Sequence, residues 1–180
     1  VINAALSKLG EQAILAVTDP SPPGRLANRT YADIRDALLR EFPWNFATKR
    51  ASLAAETTAP KWGFVRSFVL PSDLLRLVSV NNTDDQEWRN ESGRVVTDIE
   101  APLQIKYVAS VPVDSMDSTF REALAARLAM EWAEALTQTS SVVNSMAEMY
   151  RNKLRVARTS DGQSDRIRTI EYPGFIESRF

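Results

Sequence analysis

Apolar positions along the chain change period twice, from helical spacing to alternation and back. Ile2, Ala5, Leu6 and Leu9 fall on one face and predict a short helix over residues 2–9. Gly10 follows where a left-handed cap can close it. Residues 11–24 read as a connector that ends in the turn chemistry of DPSPPG. Leu26, Ile34, Leu38 and Phe42 form the next stripe and predict a helix over 25–41, with Asp36 and Arg40 spaced as an i,i+4 ion pair. Pro43 ends that helix, and Trp44 and Phe46 come straight after.

The middle of the chain alternates. FATKRASL, GFVRSFVL, LRLVSV, EWRN, GRVV and LQIKYV are short and rich in β-branched and aromatic residues, as strands are. In LQIKYVA, Leu103, Ile105 and Tyr107 share one face, while Gln104 and Lys106 share the other. EWRNESGRVV reads as a hairpin turned by ESG. Pro71, Ser72 and Asp73 interrupt the pattern with a local turn in which Ser72 or Asp73 would serve as a cap.

Helical spacing returns near residue 117. Phe120, Leu124, Leu128, Trp132 and Leu136 recur every fourth position. A four-residue step overshoots a full turn by about 40°, so this stripe winds through roughly 160°. Alanines at 123, 125, 126, 129, 133 and 135 fill the gaps. A helix apolar on several faces is buried on several faces, so this one is expected to be central or to lie between subunits. A fourth helix is predicted over about 141–158, with Val142, Met146, Met149, Tyr150 and Leu154 inward. Residues 159–180 lose periodicity yet carry Ile167, Ile170, Tyr172, Phe175, Ile176 and Phe180, which marks an arm that docks elsewhere.

The expected fold is therefore α+β. About four helices form a bundle (residues 1–45 and 114–158), a β-rich insert of five or six strands lies between helices 2 and 3 (46–113), and an extended C-terminal arm follows (159–180).

Composition narrows the chemistry. There is no cysteine and no histidine among the 180 residues. Disulfides and thiolate metal sites are excluded, as are a Ser-His-Asp triad and the commonest general base. No enzymatic activity is expected. Net charge is −1, but residues 1–150 carry −4 and residues 151–180 carry +3. That is not the dense basic face of a usual nucleic-acid binder. No apolar run reaches the length of a membrane span. The chain opens at Val1, without a basic apolar leader, and a few native residues are expected before it.

Candidate site residues fall in three places. Phe42, Pro43, Trp44 and Phe46 read as a structural hinge that pins the second helix to the first strand; with Lys49 and Arg50 they also allow an exposed stacking platform. The fourth helix offers Arg151, Lys153, Arg155 and Arg158. Arg155 and Arg158, with Arg166, Arg168, Ile170, Tyr172, Phe175, Ile176 and Phe180 of the arm, are candidates for binding a partner protein or a neighbouring subunit, the aromatics acting as anchors. Asp84, Asp85 and Glu87 lack the glycine and spacing of a calcium loop and read as a solvated hairpin tip. No phosphate-binding glycine loop exists among the six glycines. No catalytic, cofactor-binding or metal-ligating residue is assigned.

Three stretches carry a resemblance: RLANRTYADIRDALLREFPWNFATKRASLA, then LPSDLLRLVSV, then MDSTFREALAARLAMEWAEALTQT. Together they resemble the tail tubular protein A family, the head-to-tail adaptors of short-tailed phages, over roughly residues 1–158. The hairpin around 84–98 and the arm lie outside any fixed pattern of that family. The resemblance implies a structural virion protein at the head–tail interface, assembled in the host cytoplasm. It implies a dodecameric ring that joins the portal protein to the tail nozzle protein and surrounds the DNA without reading its sequence. It also implies a helical bundle with a β-rich insert and an extended C-terminal segment. Two other classes stay open: a glycan hydrolase of the cell wall using paired carboxylates, and a nucleic-acid-binding module.

Overall fold

The computed structural model describes residues 1–81 and 86–164. Helix α1 spans Ile2–Lys8 and buries Ala5 and Leu6. Two bonds close it: the Gly10 N–H donates to the Ser7 carbonyl (3.2 Å) and the Glu11 N–H to the Leu6 carbonyl (3.0 Å). Gly10 takes φ +76°, the left-handed residue this closure requires.

Helix α2 spans Pro22–Glu41 and starts three residues earlier than its apolar stripe predicts. The prolines occupy its first turn, where an amide would have no helical acceptor in any case. Ser21 caps it, its hydroxyl accepting from the Gly24 N–H at 3.3 Å. The PPG read as turn is thus helix. At the other end Phe42 is extended (φ −139°, ψ 148°), the conformation a following proline favours. The expected Asp36–Arg40 pair does not form. Asp36 pairs with Arg35 at 2.7 Å and accepts from the Ser110 hydroxyl, while Arg40 donates to the Leu75 carbonyl at 2.9 Å. Tertiary partners outcompete a surface pair that is intrinsically weak.

Six strands follow: β1 (Thr48–Leu53), β2 (Arg66–Val69), β3 (Leu74–Val80), β4 (Trp88–Glu91), β5 (Arg94–Thr97) and β6 (Leu103–Ala109). They make two antiparallel sheets, ordered β1-β6-β3 and β2-β5-β4. Glu91 faces Arg94 across a two-residue turn in which Ser92 and Gly93 both have positive φ, so ESG turns the hairpin as its sequence indicates. Phe46 and Ala47 are not strand, because Asn45–Ala47 forms a 3-10 turn before β1 begins. Asp73 caps no helix: its carboxylate takes Lys49 Nζ at 2.7 Å and the Tyr107 hydroxyl at 3.2 Å, clipping the β2–β3 turn to β1 and β6.

Helix α3 (Ser118–Thr137) is capped by Asp117, which accepts from the Thr119 N–H at 2.8 Å, and ends at left-handed Gln138. It packs on α1, α2 and the last helix, α4 (Ser140–Gln163). Phe120, Leu124, Leu128 and Trp132 are buried, as are the alanines at 123, 125, 126, 129 and 133. The winding stripe is the signature of this central position, since each face meets a different neighbour. Ala135 alone of the six alanines is exposed.

The described residues make an α+β fold, four helices with both sheets inserted between α2 and α3. Among the described residues no helix is long and apolar enough to cross a membrane. One boundary differs from the sequence pattern. Residues 159–163, read as the start of the arm, are the last turn of α4. Residues 165–180 of the arm lie outside the described residues, as do Asp84 and Asp85.

Candidate functional site

The 42–46 cluster sits where α2, β1 and α3 meet. Trp44 is fully buried and donates from Nε1 to the Leu38 carbonyl at 3.3 Å, which satisfies the one polar atom of a buried indole. Its ring lies 5.1 Å from Phe42 and 6.1 Å from Phe46. Phe120 of α3 meets Trp44 at 4.9 Å and Phe46 at 5.0 Å, both edge-on. Phe42, Pro43 and Phe46 are half-buried around it. A base cannot stack on Trp44 here, since both the ring and its N–H are enclosed by protein. Lys49 and Arg50, next along the chain, are drawn apart: Lys49 turns to Asp73, and Arg50 projects from the other side of the strand.

The cations of α4 divide in the same way. Arg158 reaches Glu41 of α2 at 3.6 Å and lies over the Phe42 ring at 5.7 Å. Lys153 pairs with Glu122 of α3 at 3.4 Å, the carboxylate that also takes Lys8 at 3.8 Å. Glu41 and Glu122 therefore tie helices together and occupy two of the four basic residues. Arg155 is exposed and donates to Asn152 at 2.9 Å. Arg151 is exposed too and makes no ion pair among the described residues. Arg151 and Arg155 line a shallow surface with Ser145, Glu148 and Met149. Arg166, Arg168, Ile170, Tyr172, Phe175, Ile176 and Phe180 lie outside the described residues.

Two exposed apolar features escaped the sequence pattern. Leu15, in the connector between α1 and α2, is fully exposed. It borders a groove of about 360 Å³ with Ile2, Ile14, Val17, Tyr31 and Val113. The Tyr31 hydroxyl is buried there with no hydrogen-bond partner among the described residues, and burial raises its pKa. Trp62 is 87% exposed on the loop before β2, with Val65 and Val69 exposed beside it in sequence. The Pro-Lys-Trp-Gly run around Trp62 is turn chemistry, which is the one signal that could have placed this ring outside the core.

Glu87 pairs with Arg89 at 3.3 Å. Among the described residues no group of three or more metal-donor side chains converges. The carboxylates with lowered pKa are structural: Asp73 through its bond from Lys49, Glu56 through bonds from Ser67 and Arg94, Asp117 through its cap to Thr119, and Asp19 through its bonds from Ser21. Among the described residues the surface provides contact area: two exposed α4 cations without an ion pair, an apolar groove at the α1–α2 connector and an exposed indole near β2. No protein-family model matches the chain, and no curated protein matches it.

Proposed function

We propose that this chain is a structural subunit of a phage virion, a head-to-tail adaptor that forms a dodecameric ring between the portal protein and the tail nozzle protein. One contact carries the reading. Trp44 and Phe120 meet edge-to-face at 4.9 Å, and they belong to the first and third of the stretches that resemble tail tubular protein A. Two of the resembling stretches thus pack against each other in the core, beside residues such as Leu6, Phe68, Val108 and Tyr150 that lie outside them.

The surface suits such a role. A ring subunit uses two unlike patches, one for each neighbour. Leu15 on the α1–α2 connector and Trp62 before β2 are unlike apolar features on different elements. A net charge of −1 leaves little means of gripping DNA by counterion release, as suits a wall past which a genome slides. The segment 165–180 supplies the portal-gripping arm. Many arms on one ring raise each other's effective concentration, so the dock is tight although each arm is weak. Catalysis has no part in this role.

Native mass measurement and negative-stain imaging of the protein, alone and with a short-tailed phage portal, test the proposal. A twelve-fold ring seated on the portal is the expected result. A monomer indifferent to the portal overturns it. Cleavage of cell-wall glycan, or salt-dependent DNA binding, would then assign one of the other two classes.

A further inference from the structure

Arg50 of β1 and Lys106 of β6 stand directly opposite each other in the sheet register. Side chains so placed have Cβ atoms about 5 Å apart, and like charges there destabilise a sheet. Neither cation has a carboxylate partner among the described residues, although Lys49, one residue from Arg50, is neutralised by Asp73 on the other side of the sheet. Lys106 is only half-exposed, so water screens it less than a free surface lysine. The two cations line one groove of about 450 Å³ with Ser52, Ser79 and Gln104. Ser52 faces Gln104, and Ser79 faces Lys106, in the same sheet. Two cations, an amide and two hydroxyls thus converge on one side of three strands, a set rich in donors and in need of negative charge.

The geometry points to this face of sheet β1-β6-β3 as a docking site for an acidic peptide segment of a protein partner, whose carboxylates bridge Arg50 and Lys106. Charge complementarity selects the occupant. A carboxylate between two cations that rise from directly opposed strand positions takes a charge-assisted hydrogen bond from each and removes their repulsion. Nucleic acid fits less well. It demands a track of cations along a backbone and aromatic faces for the bases, and no groove-lining residue is aromatic. The inference is independent of the adaptor reading, because it rests on the sheet register and the groove alone.

The test titrates ¹⁵N-labelled full chain with a hexaglutamate peptide and, separately, with a hexathymidylate oligonucleotide. Hexaglutamate is expected to shift the amides of β1 and β6 around Arg50 and Lys106, and Lys106→Gln is expected to weaken that binding about threefold to tenfold. A second variant guards against a folding artefact. Arg50→Glu places opposite charges across the strands, so it should raise the melting temperature by about 1–3 °C while abolishing hexaglutamate binding. Binding lost together with a gain in stability cannot come from unfolding. Shifts at these residues from hexathymidylate equal to or larger than those from hexaglutamate make the face a phosphate site and overturn the proposal. No shift from either probe overturns it as well.

Discussion

Asn45 and Asp161 are joined twice across 116 residues of chain: the Asn45 N–H donates to the Asp161 carboxylate at 2.9 Å, and the Asn45 side-chain amide donates to the Asp161 carbonyl at 2.9 Å. The first bond occupies an amide of the turn that follows Trp44, and the second adds a donor to a carbonyl in the last turn of α4 that also accepts from the Ser164 N–H at 3.1 Å. The aromatic junction and the last turn of α4 are therefore one unit. Asp161→Ala is expected to speed amide exchange in the last turn of α4 about tenfold and to leave the melting temperature nearly unchanged. Hydrogen exchange resolved by residue decides it, and unaltered exchange after residue 158 would show that the helix end holds itself.

Trp44 carries more. It is fully buried among three rings and donates to the Leu38 carbonyl. Trp44→Ala should cost about 3–5 kcal/mol, read from urea unfolding, since both ring volume and neighbour contacts are lost. An exposed platform residue would cost far less, so a loss under about 1 kcal/mol contradicts the buried position.

Gly24 is the tightest of the described glycines. It lies in the first turn of α2, and a Cβ added there would run into the carbonyl oxygen of Asp19. Backbone cannot rotate away as a side-chain tip can. Gly24→Ala is expected to destabilise by about 1–3 kcal/mol, although alanine is ordinarily the better helix former. Thermal unfolding checks the sign, and a stabilised variant would mean that the DPSPPG turn yields freely.

Acid should unfold the protein through a small set of carboxylates. Lys49 beside Asp73, Thr119 beside Asp117, Ser21 beside Asp19 and Ser67 beside Glu56 all hold the carboxyl pKa below its ordinary value, 3.8 for the aspartates and 4.5 for Glu56. A folded-state pKa below the unfolded one means that the unfolded chain takes up protons first. The stabilisation is complete above the ordinary values and is lost as pH falls through the folded ones. Stability should therefore be flat from neutrality down to about pH 5 and fall below that. Asp73→Asn should make the acid limb shallower. An unchanged slope would show that the Lys49 and Tyr107 contacts contribute no linkage.

The arm has a sharper boundary than its periodicity indicated. Because α4 runs to Gln163, a clean truncation removes residues 165–180 and spares the Asn45–Asp161 bonds. Under the adaptor proposal this truncated chain keeps its melting temperature but no longer sediments with portal. Full retention of the complex would remove the arm from the docking mechanism.

The hairpin turn, the Gly10 cap and the winding stripe of α3 were legible in the sequence because each rests on neighbours a few residues apart. Two local readings failed for a local reason. The PPG of α2 and the polar last turn of α4 carry no apolar stripe, so periodicity passed over helix that proline tolerance and a distant asparagine maintain. Of the candidate site, the 42–46 cluster was visible as composition, but nothing in its order says that Phe120 closes over it. The Arg50–Lys106 face was not visible at all. The two residues are 56 positions apart by their numbers, and only the register of β1 against β6 brings them together.

By itself, then, the sequence determined the element types, the break at Pro43, the insertion of β between two helical pairs, and the absence of thiol and imidazole chemistry. These follow from short-range sterics, from periodicity and from which side chains exist. The tertiary structure alone decided which charges are spent internally, as Arg158 is on Glu41 and Lys49 on Asp73, and which remain facing out, as Arg50 and Lys106 do. A charge is neutralised by what lies within a few ångströms in space, and that distance is set by packing rather than by position along the chain.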